Sequence, residues 1–187
     1  ELNLSKTHFL SNTASVYGGG AYAYGPVTAV DSSFENNRAV SAGGLAAWST
    51  ANMTNTHFLG NTAGYDGGGA YVMQYYGGIS RIVNSLFARN YVGTGLGNAL
   101  YLVVTYQNIL GPVGGVAEVL YTTIASPTLA SGAAIVAEQG TVTITASIIT
   151  SHTFGIIQSG SSVVSQNNNL FFGNDFDTVG IVGGVVN

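Results

Sequence analysis

The chain has 187 residues, of which four are basic and eight acidic, for a net charge of −4. Four scattered cations cannot build a phosphate-tracking patch, which excludes nucleic acid as a partner. A hydrophobic fraction of 46% excludes the disorder that follows from low hydrophobicity and high charge. Without cysteine there is no disulfide framework, thiolate metal site or cysteine nucleophile.

The chain opens at Glu1 with no basic region running into an apolar stretch, so it reads as a processed mature protein or an excised segment. The first unit pairs Thr7-His8-Phe9-Leu10-Ser11-Asn12-Thr13-Ala14 with Gly18-Gly19-Gly20-Ala21-Tyr22. The second pairs Phe34-Glu35-Asn36-Asn37 with Gly43-Gly44-Leu45-Ala46. In the third, Thr56-His57-Phe58-Leu59-Gly60-Asn61-Thr62-Ala63 repeats the first almost verbatim and leads to Gly67-Gly68-Gly69-Ala70-Tyr71. Phe87-Ala88-Arg89-Asn90 and Gly97-Asn98-Ala99-Leu100 make the fourth. About 12 extra residues follow, read as a loop insertion near 104–117 on one side of the fold. Weaker units then carry Ile124 with Gly132-Ala133-Ala134-Ile135, and Ile148-Ile149 with Gly155-Ile156. Leu170-Phe171-Phe172-Gly173-Asn174 restores the Phe-x-x-Asn spacing.

Short β-branched or aromatic runs bounded by Gly, Asn and Ser predict strands, and no stretch sustains a helical apolar period. A unit of two or three short strands cannot bury its own apolar face and must stack on its neighbours. The expected fold is therefore all-β, a right-handed parallel β-helix of about seven coils in one domain, residues 1–187. At about 4.8 Å per coil the rod is roughly 34 Å long. Phe9, Phe34, Phe58 and Phe87 are expected in an internal ring stack, and Asn12, Asn37, Asn61 and Asn90 in an amide ladder. Glycines are expected where the backbone takes positive φ or coils approach closely.

The paired Phe-x-x-Asn and Gly-Gly-Ala/Leu motifs resemble the polymorphic outer-membrane-protein type of repeat, strongly over about 1–100 and weakly over 118–187. They are also similar to the wider set of right-handed β-helix surface proteins of bacteria. The resemblance implies a place at the cell surface or outside the cell and a structural or adhesive role. Its motifs are scaffold residues, so it transfers no catalytic residue.

For chemistry, the residues offer little that converges. Asn174-Asp175-Phe176-Asp177 holds the only close acidic pair; Asp175 and Asp177 with a carbonyl or two are a weak candidate for Ca²⁺, against a solvated turn. His8 and His57 flank Ser33 at two coil spacings, about 10 Å, too far for a shared metal. Lys6 and Asp31 occupy equivalent positions and are expected to pair across coils. No cofactor and no nucleophile–base–orienter set is predicted. Tyr22, Tyr24, Trp48, Tyr71, Tyr75, Tyr76 and Tyr101 gather after the glycine clusters, a low-charge aromatic strip suited to sugars or another protein chain. Asn3 and Asn52 head permitted glycosylation tripeptides.

The charge-free runs are broken by Gly-Pro or rich in Ser, Thr and Asn, so no membrane span is predicted. The expected role is an extracellular structural or adhesive solenoid. It includes self-assembly end to end into a filament or sheath, or contact with other surface proteins and glycans. The alternative is a carbohydrate-binding or polysaccharide-cleaving β-helix.

Overall fold

The computed structural model describes residues 1–187 apart from 76, 105, 109, 110, 114, 181 and 187; side chains are described apart from those of 76, 105–114, 127–131 and 181–187. The chain is an all-β parallel solenoid, with no helix among the described residues. One face is built from Leu2–Ser5, Val27–Val30, Ala51–Thr54, Gly78–Val83, Gly115–Leu120, Thr141–Thr145 and the start of Val163–Phe172, each pairing in parallel with the next. A second face stacks His8–Leu10, Ser33–Glu35, His57–Leu59 and Leu86–Ala88, then the first parts of Thr123–Gln139 and Ile148–Gln158. A third stacks Ala21–Ala23, Leu45–Ala47, Ala70–Met73 and Leu100–Val103, followed by the later parts of those two long strands and by Phe176–Val179. Between the second and third faces, Arg38–Ala39, Thr62–Ala63 and Tyr91–Val92 form a short corner sheet.

About six turns result, where the landmark count predicts seven. The physical reason is a fencepost: the seven stacked positions Phe9, Phe34, Phe58, Phe87, Ile124, Ile149 and Phe171 enclose six returns of the chain. In the 104–117 region, the backbone of Tyr106–Asn108 pairs antiparallel with Gly111–Val113; the rest of that predicted insertion lies in part outside the described residues.

Alternation along each strand sends every second residue into the lumen. Leu4, Ala29, Met53, Ile82, Val119 and Ile144 form one buried column, in register from coil to coil. Beside it, the rings of Phe9, Phe34, Phe58 and Phe87 stack at 4.8, 4.8 and 4.6 Å with interplanar angles of 8°, 2° and 3°. That separation is the coil spacing itself, so strand pairing and ring contact are satisfied by the same repeat.

The asparagines form a continuous amide ladder. Asn61 Oδ1 accepts from both the backbone N–H and Nδ2 of Asn37, each at 3.0 Å. Asn90 Oδ1 does the same for Asn61. The remaining donor hydrogen turns back: Asn37, Asn61 and Asn90 Nδ2 donate to the carbonyls of Phe9, Phe34 and Phe58 at 2.9, 2.7 and 2.8 Å. Buried backbone groups at the bend are thereby paired, at about 1 kcal/mol net per bond.

A second ladder was not anticipated. Two residues before each of the first six landmarks stands a hydroxyl residue, Thr7, Ser32, Thr56, Ser85, Thr122 and Ser147, and before Phe171 the place is taken by Asn169. The oxygens of Ser32, Ser85 and Ser147 accept the backbone N–H of Thr7, Thr56 and Thr122, while donating to carbonyls two residues upstream. One residue earlier, the chain turns through the left-handed region at Lys6, Asp31, Asn55, Asn84, Tyr121, Ala146 and Asn168, with φ between 49° and 53°. Asn and Asp tolerate this region, whereas the other side chains are held there at about 1–2 kcal/mol each.

Several glycines serve close approach instead. A Cβ on Gly20, Gly44 or Gly69 would sit 2.8, 3.0 or 2.9 Å from Cδ1 of Phe34, Phe58 or Phe87 in the next coil. The Gly cluster of one coil thus makes room for the Phe of the next, and this is why the two motifs travel together. Gly155 stands in the same relation to Phe171, at 3.2 Å. Where the landmark shrinks to Ile124 and Ile149, the equivalent positions are Ala99 and Ala134.

The expected Lys6–Asp31 pair is not formed. Asp31 Oδ1 accepts from Asn55 Nδ2 at 2.6 Å, one coil on in the opposite direction. Among the described residues the ion pair is Arg81–Glu118, at 2.8 Å between in-register neighbours.

His152 is buried, and its Nδ1 has no partner. Burial pushes its imidazole below the usual value of 6.5, against a smaller upward pull from the Thr150 backbone. The unfolded chain therefore binds a proton that the folded chain refuses, and stability falls as pH drops below about 6.5. Melting temperature measured from pH 7.5 to 5 is expected to decline in the wild type and to decline less in His152→Gln. Parallel declines in both proteins would assign the acid sensitivity to other groups.

Candidate functional site

The outward positions of the third face line up as Tyr22, Ala46, Tyr71, Tyr101, Val136 and Ile157. They point outward because their neighbours Ala21, Ala23, Ala70, Val72, Leu100 and Leu102 point into the lumen. Trp48, immediately after Leu45–Ala47, lies among them. Its ring meets Tyr17 at 4.9 Å, Tyr22 at 5.4 Å and Tyr71 at 5.1 Å, all edge to face. Tyr17 also stacks on Tyr22 at 5.8 Å, Tyr22 meets Tyr24 at 5.2 Å, and Tyr71 meets Tyr101 at 5.0 Å. Each such pair contributes about 0.5–1.5 kcal/mol beyond its area.

The result is a second apolar layer outside the lumen. Trp48 is only 7% exposed, because tyrosine rings close around it, while Tyr22 is 37% and Tyr24 72% exposed. Tyr75 packs against the Ala42, Ala46 and Trp48 cluster; Tyr76 lies outside the described residues. Tyr17 belongs to the stripe but precedes its glycine cluster, and nothing in the repeat pattern marks it. No Lys or Arg occurs beyond Arg89 or between Arg38 and Arg81, so the stripe carries no cation from its own strands.

Three of its phenols, Tyr22, Tyr71 and Tyr101, are pushed toward the protonated form. Partial burial, then the Tyr24 hydroxyl, push Tyr22 up to about 12. Tyr71 is raised by burial and then by Asp66, and Tyr101 by burial and by its hydrogen bond to Glu138. These three hydroxyls therefore stay neutral through the physiological range, that of Tyr101 donating to Glu138.

The remaining sequence candidates fall elsewhere. His8 Nδ1 is 2.9 Å from Ser33 Oγ, which itself donates to Glu35 Oε1 at 2.8 Å. With that proton committed to the carboxylate, the imidazole donates to the hydroxyl, the reverse of a nucleophile–base pair. His57 is the in-register neighbour of Ser33 on the far side. Asp175 and Asp177 are exposed at and just before the last strand of the third face, and Asp177 Oδ1 accepts from Asn174 Nδ2 at 3.2 Å. Among the described residues, no three His, Asp or Glu side chains gather as a metal site. Asn3 is exposed, whereas Asn52 is half-buried and its Oδ1 accepts from the Arg81 N–H at 3.2 Å.

No protein-family model, curated protein or solved structure is found to match the chain. Among the described residues, no helix is long and apolar enough to cross a membrane.

Proposed function

We propose that this chain is an extracellular or cell-surface solenoid with a structural or adhesive role, of the polymorphic outer-membrane-protein repeat type. Its outward aromatic stripe is the surface that meets other copies or other surface proteins. One observation carries this reading. Six aromatic side chains, Tyr17, Tyr22, Tyr24, Trp48, Tyr71 and Tyr101, gather on the outer side of one face, where strand alternation ordinarily places polar residues. Such rings dominate the centres of protein interfaces. Low charge favours the reading as well, since stacked or laterally packed rods repel little.

The test uses Tyr22→Ser and Tyr24→Ser together, because both rings are exposed and neither fills the lumen. The wild-type chain is expected to self-associate in sedimentation velocity, or to adhere to a surface-protein layer, with at least tenfold loss in the double variant, which stays folded at a melting temperature lowered by the lost Tyr22 ring contacts. Equal association by both proteins would sink the proposal. The second reading is glycan binding or cleavage, favoured by the open ring of Tyr24. It predicts glycan-array signal that the same variant loses. For cleavage, it predicts reducing-sugar release that falls on substitution of Asp175 or Asp177.

A further inference from the structure

The corner sheet carries a feature that the aromatic stripe does not touch. Thr13, Arg38, Thr62 and Tyr91 occupy one outward column across four coils, in direct register. Beside them runs a trough of about 340 Å³. Its floor is made of small residues, Ala39, Ala63, Gly64 and Gly93 among them, which is why a depression exists there at all. Four coils at about 4.8 Å make it about 14 Å long, a shape that suits a linear chain better than a compact metabolite.

The chemistry of the lining narrows the occupant. Arg38 is exposed, and its guanidinium is outside the ion pair found among the described residues. A guanidinium presents a planar fork that fits a carboxylate in two parallel hydrogen bonds. On either side, one coil away, stand the hydroxyls of Thr13 and Thr62, and beyond Thr62 the ring of Tyr91, 46% exposed. Hydroxyl, cation, hydroxyl and ring at equal intervals match a chain of sugar rings bearing carboxylates.

A peptide strand fits poorly, because the backbone of the trough is already spent. The N–H groups of Arg38, Thr62 and Tyr91 donate to the carbonyls of Asn12, Asn37 and Asn61 at 2.8, 2.9 and 2.9 Å. Those of Gly64 and Gly93 donate to Ala39 and Ala63 at 3.1 and 2.9 Å. Strand addition needs free main-chain donors and acceptors, and these run along the coils rather than out to the trough. What remains for recognition is side chains alone.

We infer that the trough is a binding site for an acidic polysaccharide, with one uronate carboxylate on Arg38 and a sugar ring further along the same chain, two coils away, on Tyr91. It lies at the corner sheet and not on the third face, so it stands or falls independently of the stripe.

Calorimetric titration with hexagalacturonate and with its carboxyl-reduced, uncharged counterpart tests the site. The wild type is expected to bind the uronate at least tenfold more tightly than the reduced hexamer. Arg38→Gln is expected to remove that preference, and Tyr91→Ala to weaken both ligands. If Arg38→Gln lowers the melting temperature, the wild type decides alone: uronate affinity falls with added salt while that of the reduced hexamer does not. No measurable uronate binding, equal uronate affinity in wild type and a fully folded Arg38→Gln, or a flat salt response would each overturn the assignment.

Discussion

Replacing Asn61 with aspartate is expected to cost more than replacing it with alanine at pH 7, and the order is expected to reverse or close as the pH falls toward 4. Asn61 is fully buried and uses its carboxamide completely. Its oxygen accepts two bonds from Asn37, and its nitrogen donates to the Phe34 carbonyl and to Asn90 Oδ1. Asn61→Ala leaves a donor pair of Asn37 and the Phe34 carbonyl unpaired, at about 1–3 kcal/mol for each buried group, so a loss of about 3 kcal/mol or more is expected. Asn61→Asp keeps the acceptor but aims a second carboxyl oxygen at two existing acceptors. The ionised form is then disfavoured both by burial and by its neighbours. Its carboxyl pKa is raised in the folded chain, so the folded state binds the proton more strongly. Stability falls as pH rises through and above the ordinary carboxylate range. Urea melts of the three proteins at pH 4 and pH 7 measure this. If both variants stay within about 1 kcal/mol of the wild type at both pH values, the amide ladder does not hold the bend.

Much of this architecture was legible because a solenoid writes its contacts into the sequence at one period. Phe9, Phe34, Phe58 and Phe87 are separated by 25, 24 and 29 residues, and the structure superposes them because each step is one circuit of the chain. Two devices were missed for different reasons. The hydroxyl ladder at Thr7, Ser32, Thr56, Ser85, Thr122 and Ser147 was present at the same period, but Ser and Thr are too common to stand out against Phe and Asn. The left-handed corner at Lys6, Asp31, Asn55, Asn84, Tyr121, Ala146 and Asn168 shows only a partial bias, with Asn or Asp at four positions and Lys, Tyr and Ala at the others. There the hydrogen bonds on either side impose the conformation, and residue type merely tolerates it.

The outer surface was less legible than the lumen. Inward positions are constrained by neighbours above and below, so their identity repeats; outward positions are free to differ from coil to coil. Tyr22, Tyr71 and Tyr101 fall in one column with Ala46 between them, and only the register reveals that Trp48 fills the gap that alanine leaves. The trough beside Arg38 is invisible in sequence for the same reason. Thr, Arg, Thr and Tyr share no property until the coils place them side by side.

The coupling between Gly44 and Phe58 gives the strongest test of the register itself. Phe58 is fully buried between Phe34 and Phe87, so Phe58→Ala is expected to lose about 3–5 kcal/mol through transfer and cavity terms. Gly44→Ala places a Cβ 3.0 Å from the Phe58 ring and 2.5 Å from the Gly69 carbonyl oxygen, an overpacking expected to cost about 1–3 kcal/mol. The two losses are not independent, since shortening the side chain at 58 removes the clash with the ring and opens room for the added methyl group. The carbonyl contact remains, so relief is partial. The double variant is expected to fall short of the summed single losses by at least about 0.5 kcal/mol. The chain itself contains the same exchange, with Phe over Gly at 34, 58, 87 and 171 and Ile over Ala at 124 and 149. Phe58→Ile with Gly44→Ala is therefore expected to be the best tolerated combination at this level of the rod. Strict additivity in both cycles, read by chemical denaturation, would mean that Gly44 answers only to the Gly69 carbonyl. The pairing of the two sequence motifs would then need another cause.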